Sequence, residues 1–293
     1  MSISSSDSAK TYNKPGLPLI VVDNTHCHAV IAPQGAHLVE FKQKSGIGNC
    51  TTPLLWLSPN ATFTPGKAIR GGIPICFPWF GPHSKDPSLP QHGFARIRNW
   101  QLSKSAESVD ATELTFVLES CEETLRAYPH AFIAELHFTL GETLTIELTV
   151  TNRSDSTMPV GWALHSYFPV SDPATATVPE LLGSRYVDKI DNSRVKQLVE
   201  NLDFSHLTDT VFNRSPDKIT LSRPEGQIVI TCENAPTTIA WNPNAGADAI
   251  ADLGPEIYSQ FVCVERGAAS DDLRQLPVGE TMRARMNIRA LCN

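Results

Sequence analysis

The stretch Thr143-Leu144-Thr145-Ile146-Glu147-Leu148-Thr149-Val150-Thr151-Asn152 decides the fold class. Leu144, Ile146, Leu148 and Val150 fall on one face of an extended chain and the Thr and Glu side chains on the other, the period of two that a half-buried strand requires. Working outward, ten further segments are short, alternating or β-branched and bounded by Gly, Pro, Asn or Asp: 17–22, 29–32, 37–42, 113–119, 132–140, 218–222, 227–232, 237–241, 260–265 and 281–288. Helical signals are confined to 120–128, where Ser120 precedes Glu122 and Glu123 and Pro129 ends the run, and to 253–259. Many strands and few short helices predict an all-β domain.

The 22 prolines and 17 glycines are spread over all 293 residues, with no linker, repeat or low-complexity block. One domain is therefore expected over 15–293, after a frayed Ser-rich tail at 1–14 that lacks the apolar run of a signal peptide. No window approaches the roughly 18 consecutive apolar residues of a spanning helix, so no membrane partner is expected. Seven cysteines, at 27, 50, 76, 121, 232, 263 and 292, form no C-x-x-C pair, which excludes a zinc ribbon or thioredoxin-type motif and points to a reducing, cytoplasmic setting.

Lys and Arg number 24 against 31 Asp and Glu, a net charge of −7 that does not suit a nucleic-acid track or an anionic membrane surface. The charge is uneven, however. Between 61 and 104, Lys67, Arg70, Lys85, Arg96, Arg98 and Lys104 oppose the single acid Asp86, leaving +5 here and −12 elsewhere. Such a run reads either as a solvated face or as a site for a small anion, whose oxygens arginine's planar fork can match. The same region contains 53–90, a strand-poor excursion of the kind that is usually functional.

Three constellations could carry chemistry. Arg70-Gly-Gly-Ile-Pro-Ile-Cys-Phe-Pro-Trp-Phe-Gly-Pro82 has three prolines among nine residues, predicting a backbone shaped by rings and turns rather than by a ladder. Its Phe77, Trp79 and Phe80 read either as core or as planes for a sugar ring. Leu89-Pro-Gln91-His92-Gly-Phe-Ala-Arg96 packs three polar side chains around a glycine, and His92 reads equally as a ligand contact or as a loop support. In Val160-Gly-Trp-Ala-Leu-His165-Ser-Tyr-Phe-Pro-Val170, a single strand would turn Gly161, Ala163, His165 and Tyr167 to one face as a pocket floor. Glu265 closes an apolar strand, where partial burial would raise its proton affinity, and Asp209 reads also as a turn residue. His26 and His28 share a strand face but have no third ligand nearby at metal spacing.

Arg70-Gly-Gly-Ile-Pro-Ile-Cys-Phe-Pro-Trp-Phe-Gly, Leu-Pro-Gln91-His-Gly-Phe-Ala-Arg96, His165-Ser-Tyr-Phe, Trp241-Asn-Pro and Val-Cys-Val-Glu265 together resemble the hexose-6-phosphate mutarotases (glucose-6-phosphate 1-epimerases) of the aldose 1-epimerase superfamily. The resemblance runs in order from about residue 15 to 290. It implies a galactose-mutarotase-like β-supersandwich and an isomerase that interconverts the α and β anomers of a hexose 6-phosphate by opening and closing the ring. It also implies His165 and Glu265 as catalytic residues, Arg70, Gln91, Arg96 and Asp209 as substrate-binding residues, and His92 as a lining residue of the site. The chain departs from the family where Asp209 is followed by Thr210, Val211 and Phe212 without the usual tyrosine. Glu265 is expected as base and protonated His165 as acid, with no metal or other cofactor, in a cytoplasmic monomer. A mutarotase for free aldoses and a non-catalytic sugar-phosphate-binding protein are the alternatives.

Overall fold

The computed structural model describes residues 2–7, 16–44 and 53–291. All eleven expected strands form, with ends within three residues of those expected. One seven-stranded antiparallel sheet runs Lys218–Arg223, Gly226–Glu233, Thr281–Leu291, Leu144–Asn152, Phe132–Gly141, Ala111–Glu119, Gln101–Glu107. An eight-stranded sheet runs Arg194–Gln197, Arg185–Asp188, Thr208–Phe212, Thr237–Asn242, Phe261–Ala268, Trp162–Leu164, Ile75–Cys76, with Tyr167–Pro169 also paired to Phe261–Ala268. A four-stranded sheet comprises Ser2–Asp7, Pro18–Asp23, Cys27–Ala32 and His37–Gln43.

The two large sheets share one core. Leu144, Ile146, Leu148 and Val150 meet Phe116, Leu136 and Phe138 from their own sheet and Trp162, Leu164, Phe168, Val262 and Val264 from the other, all in one buried cluster. This is the expected β-supersandwich, and the period of two along each strand built it. The same period gives the eight-stranded sheet a second face, because residues alternating with that core, such as Cys76, Ala163, Val211 and Ile239, form a separate small cluster on its outer side. No helix among the described residues is long and apolar enough to cross a membrane.

Four expectations are corrected. Within the supposed tail 1–14, Ser2–Asp7 is a strand, paired antiparallel with Pro18–Asp23; a free sheet edge offers backbone donors and acceptors that a polar sequence can satisfy. The proline-rich segment does pair over two residues, as Ile75 and Cys76, which keep their N–H groups, lie against Leu164 and Ala163. The single strand expected at 160–170 is two, Trp162–Leu164 and Tyr167–Pro169, because the His165 N–H donates to the Pro74 carbonyl at 2.9 Å and the Tyr167 N–H to that of Gly72 at 3.0 Å. The face assignment survives the break, with Trp162, Leu164 and Phe168 in the main core and Ala163 and Tyr167 outside it. The helix at Glu122–Ala127 is confirmed; its cap is Cys121, whose N–H donates to Thr124 Oγ1 at 2.8 Å, rather than Ser120.

Candidate active site

Strand register brings the central pair together. Leu164 lies opposite Arg266 and Tyr167 opposite Cys263, so the two residues between them continue that alignment and His165 faces Glu265 across the strands. His165 Nδ1 and Glu265 Oε1 are 3.4 Å apart, with the residues only 6% and 1% exposed. Neither His165 Nδ1 nor Glu265 Oε2 has a hydrogen-bond partner within the protein. Buried polar atoms are normally satisfied, so this pair is poised for groups that a ligand supplies.

A cavity of about 600 Å³ opens over this face of the eight-stranded sheet. Its walls include all seven residues expected from the sequence: Arg70, Gln91, His92, Arg96, His165, Asp209 and Glu265. Asp209 pairs across the sheet with Trp241, whose ring meets that of His165 edge-on at 5.9 Å. Of the three aromatics in the proline-rich segment, only Phe80 lines the cavity, whereas Phe77 is in the core and Trp79 packs against Phe94 and His83. Lys85, considered from charge alone, is not among the lining residues; Lys189 is.

The loop carrying Gln91, His92 and Arg96 is clamped to the proline-rich segment. Phe77 N–H donates to the His92 carbonyl at 3.2 Å, and His92 N–H to that of Gly81 at 2.7 Å. Gly93 has φ +73°, and a Cβ there would sit 2.0 Å from the Phe77 oxygen, so glycine is what allows the two segments to close. His92 supports the loop, as Nδ1 accepts from the Gly81 N–H at 3.3 Å, which leaves the ring proton on Nε2, and its ring lines the cavity. Arg96 Nη2 donates to the Gln91 carbonyl at 2.8 Å. Arg70 is braced on two sides, with Nε donating to Asp252 Oδ1 at 3.1 Å and Nη1 to Tyr167 Oη at 3.0 Å.

Electrostatics sharpen the pair. Burial, reinforced by His92, Arg96 and Arg70, holds His165 well below the usual imidazole range. Burial and the nearby Asp209 push the Glu265 carboxyl well above its ordinary range, with Arg96 opposing. Each displacement favours the uncharged form of its group, because a low-dielectric site disfavours separated charges. Burial and then Arg96 and Arg70 take His92 down to about 3. Asp209 is raised by burial despite Lys189.

Sequence reasoning missed Trp241 and Lys189 as lining residues, and Tyr167 and Asp252 as supports of Arg70. Trp241 had a signal in its strand parity with Ile239; Asp252, in an irregular segment, had none.

Comparison with known proteins fits this site. The aldose 1-epimerase family matches residues 18–289. A protein of Escherichia coli (strain K12), provisionally named glucose-6-phosphate 1-epimerase, is 36% identical over 260 residues, covering 87% of this chain and 84% of its own. One of Salmonella typhimurium with the same provisional name is 37% identical over 257 residues, covering 85% and 82%. A crystal structure from Salmonella typhimurium, provisionally described as a mutarotase, superposes with a TM-score of 0.85 at 34% identity, covering 95% of this chain and 92% of that one. With a match spanning both large sheets and every wall of the cavity, the chain belongs to the aldose 1-epimerase family and has the galactose mutarotase-like β-sandwich fold.

Proposed function

We propose that the protein is a glucose-6-phosphate 1-epimerase, interconverting the α and β anomers of the sugar phosphate in the cavity over the eight-stranded sheet. The observation that carries this reading is the presence of Arg70 and Arg96 on the walls of the cavity that holds the His165–Glu265 pair. A mutarotase for free aldoses has no dianion to bind, whereas a 6-phosphate carries about −1.5 to −2 charges near neutrality. The arginines take the phosphate, Gln91, Asp209 and the Nε2–H of His92 hold sugar hydroxyls, and Phe80 and Trp241 supply apolar surface to the ring.

The chemistry follows from the pair. The proton resting on Glu265 passes to His165 as the sugar enters, across the 3.4 Å between them. The Glu265 carboxylate then takes the proton of the C1 hydroxyl while His165 delivers one to the ring oxygen, and the bond from C1 to the ring oxygen breaks to leave the open-chain aldehyde. Rotation about C1–C2 presents the other face, and the same two groups run in reverse to close the ring. General acid and base assistance of this kind contributes about 10²–10⁴-fold for each group. We place the enzyme in the cytoplasm as a monomer; the free cysteines 27, 76, 121, 232 and 263 support the compartment.

The test is NMR magnetisation transfer between the anomers of glucose 6-phosphate and of free glucose, with wild type, Arg70→Ala and Arg96→Ala. Each substitution should weaken glucose 6-phosphate roughly 10- to 100-fold, the worth of a charge-assisted hydrogen bond, and free glucose far less. Equal losses on the two sugars would turn the assignment to a free-aldose mutarotase, and binding without exchange would turn it to a sensor.

A further inference from the structure

Of the side chains suited to hold the phosphate, Arg70 is linked through one residue to the imidazole that moves the proton. Tyr167 is the link. Its hydroxyl accepts from Arg70 Nη1 at 3.0 Å, and its ring lies flat against His165 with centroids 4.8 Å apart and planes 8° from parallel. Tyr167 is itself immobilised. It is buried, its N–H donates to the Gly72 carbonyl at 3.0 Å, its carbonyl accepts from the Trp56 N–H at 3.0 Å, and the Trp56 and Phe261 rings pack against it. A change in the position of Arg70 therefore reaches His165 through one rigid ring.

Charge runs along the same line. The groups facing His165 are His92, with ring centroids 5.6 Å apart, and Arg96 from the loop, Arg70 from the proline-rich segment, and Glu265 from the neighbouring strand, with Asp209 acting on Glu265 from farther along the sheet. Arg70 and Arg96 both oppose positive charge on the imidazole, and a dianion between them cancels that opposition as the proton moves.

We propose that the substrate's phosphate accelerates the chemical step as well as tightening binding, acting through the contact chain Arg70–Tyr167–His165. The inference rests on the glucose 6-phosphate reading above and adds that the phosphate is an activator of the acid–base pair. Interaction energy from a non-reacting part of a substrate that is realised only in the transition state raises kcat, whereas uniform binding lowers KM alone.

The phosphate can be supplied separately from the sugar. Anomer exchange of free glucose is followed by magnetisation transfer with phosphite dianion added at constant ionic strength, and the enzyme-free rate at each composition is subtracted. Phosphite should raise the enzyme-dependent rate roughly tenfold in wild type. The ratio of rates with and without phosphite should fall to near one in Arg70→Gln, and to a small fraction of the wild-type response in Tyr167→Phe, which keeps the ring and loses the hydroxyl. Each variant is compared with itself, so a lower yield of folded protein cancels. On glucose 6-phosphate, Tyr167→Phe should lower kcat with little change in KM. A wild type that exchanges glucose 6-phosphate rapidly yet ignores phosphite, or is inhibited by it, overturns the proposal and leaves the function intact. An undiminished phosphite response in Tyr167→Phe overturns it as well. A wild type that fails to exchange glucose 6-phosphate overturns the function itself.

Discussion

Glu147 and Glu265 sit mid-strand in the two large sheets, Glu147 between the core residues Ile146 and Leu148 and Glu265 between the core residue Val264 and the buried Arg266, and their proton affinities are displaced in opposite directions. Glu147 faces outward from the seven-stranded sheet, directly across from Arg285. Arg285 Nη2 reaches its Oε2 at 3.0 Å and Arg283 Nη2 its Oε1 at 2.6 Å. Burial alone would raise it, but the two arginines outweigh burial and hold it below its ordinary range. Glu265 faces outward from the eight-stranded sheet, where the loops bearing Arg70 and His92 cover the surface; it meets the buried imidazole of His165 and keeps one oxygen unpartnered. Both carboxyls point away from the shared core, but the Glu147 strand otherwise alternates buried and half-buried residues whereas every residue of Phe261–Ala268 is buried. What covers the outer face decides whether a carboxylate becomes a surface ion pair or a proton store.

The largest expected effect would break this contrast outright. Glu265→Gln and His165→Asn should each reduce enzyme-dependent anomer exchange of glucose 6-phosphate by about 10²–10⁴-fold, while Glu147→Gln exchanges at the wild-type rate. Wild-type exchange in either site variant removes that residue from the mechanism, and a comparable loss in Glu147→Gln abolishes the distinction between the sheets.

A second, smaller effect concerns stability against pH without ligand. A carboxyl whose folded-state pKa is raised binds a proton in the folded protein that the unfolded chain has already released, so stability falls as pH rises from the ordinary carboxylate range toward the folded value, by up to about 1.4 kcal/mol per pH unit. Glu265→Gln abolishes that loss. Thermal unfolding of the variant should therefore gain on wild type as pH rises above the ordinary carboxylate range, and melting temperatures that stay parallel would refute the raised proton affinity of Glu265.

The smallest effect has the opposite sign. Glu147 contributes stability above its unfolded pKa that is lost as pH falls through its lowered folded value. Its partners are partly exposed and screened by solvent, so Glu147→Gln should cost only about 0.5–1 kcal/mol at pH 7 in denaturant titration, and nothing once the pH is low enough to protonate wild-type Glu147. A difference that persists or grows in acid would mean the arginines do not set its titration.

Much of this was legible along the chain. The eleven segments read as strands are strands, and the seven residues named from the motifs line one cavity. Those motifs were legible because strand parity and compact loop signatures are local properties. Less legible was the Tyr167–Arg70–Asp252 brace, whose members are brought together from 182 residues apart in the chain by contacts that no periodicity encodes. The directions in which the His165–Glu265 pair is displaced were hidden in part for the same reason: the sequence showed an acid and an imidazole, but not how completely both would be desolvated.

Alternation is short-range, so the order of the residues alone settled the all-β class and the core faces, while the motifs' resemblance to a known family singled out seven residues that line one cavity. Register and enclosure are long-range. Only the folded chain decided that His165 stands opposite Glu265, that both are buried, and that one buried tyrosine joins Arg70 to the imidazole, because each depends on which strand edge meets which and on how much water the covering loops exclude.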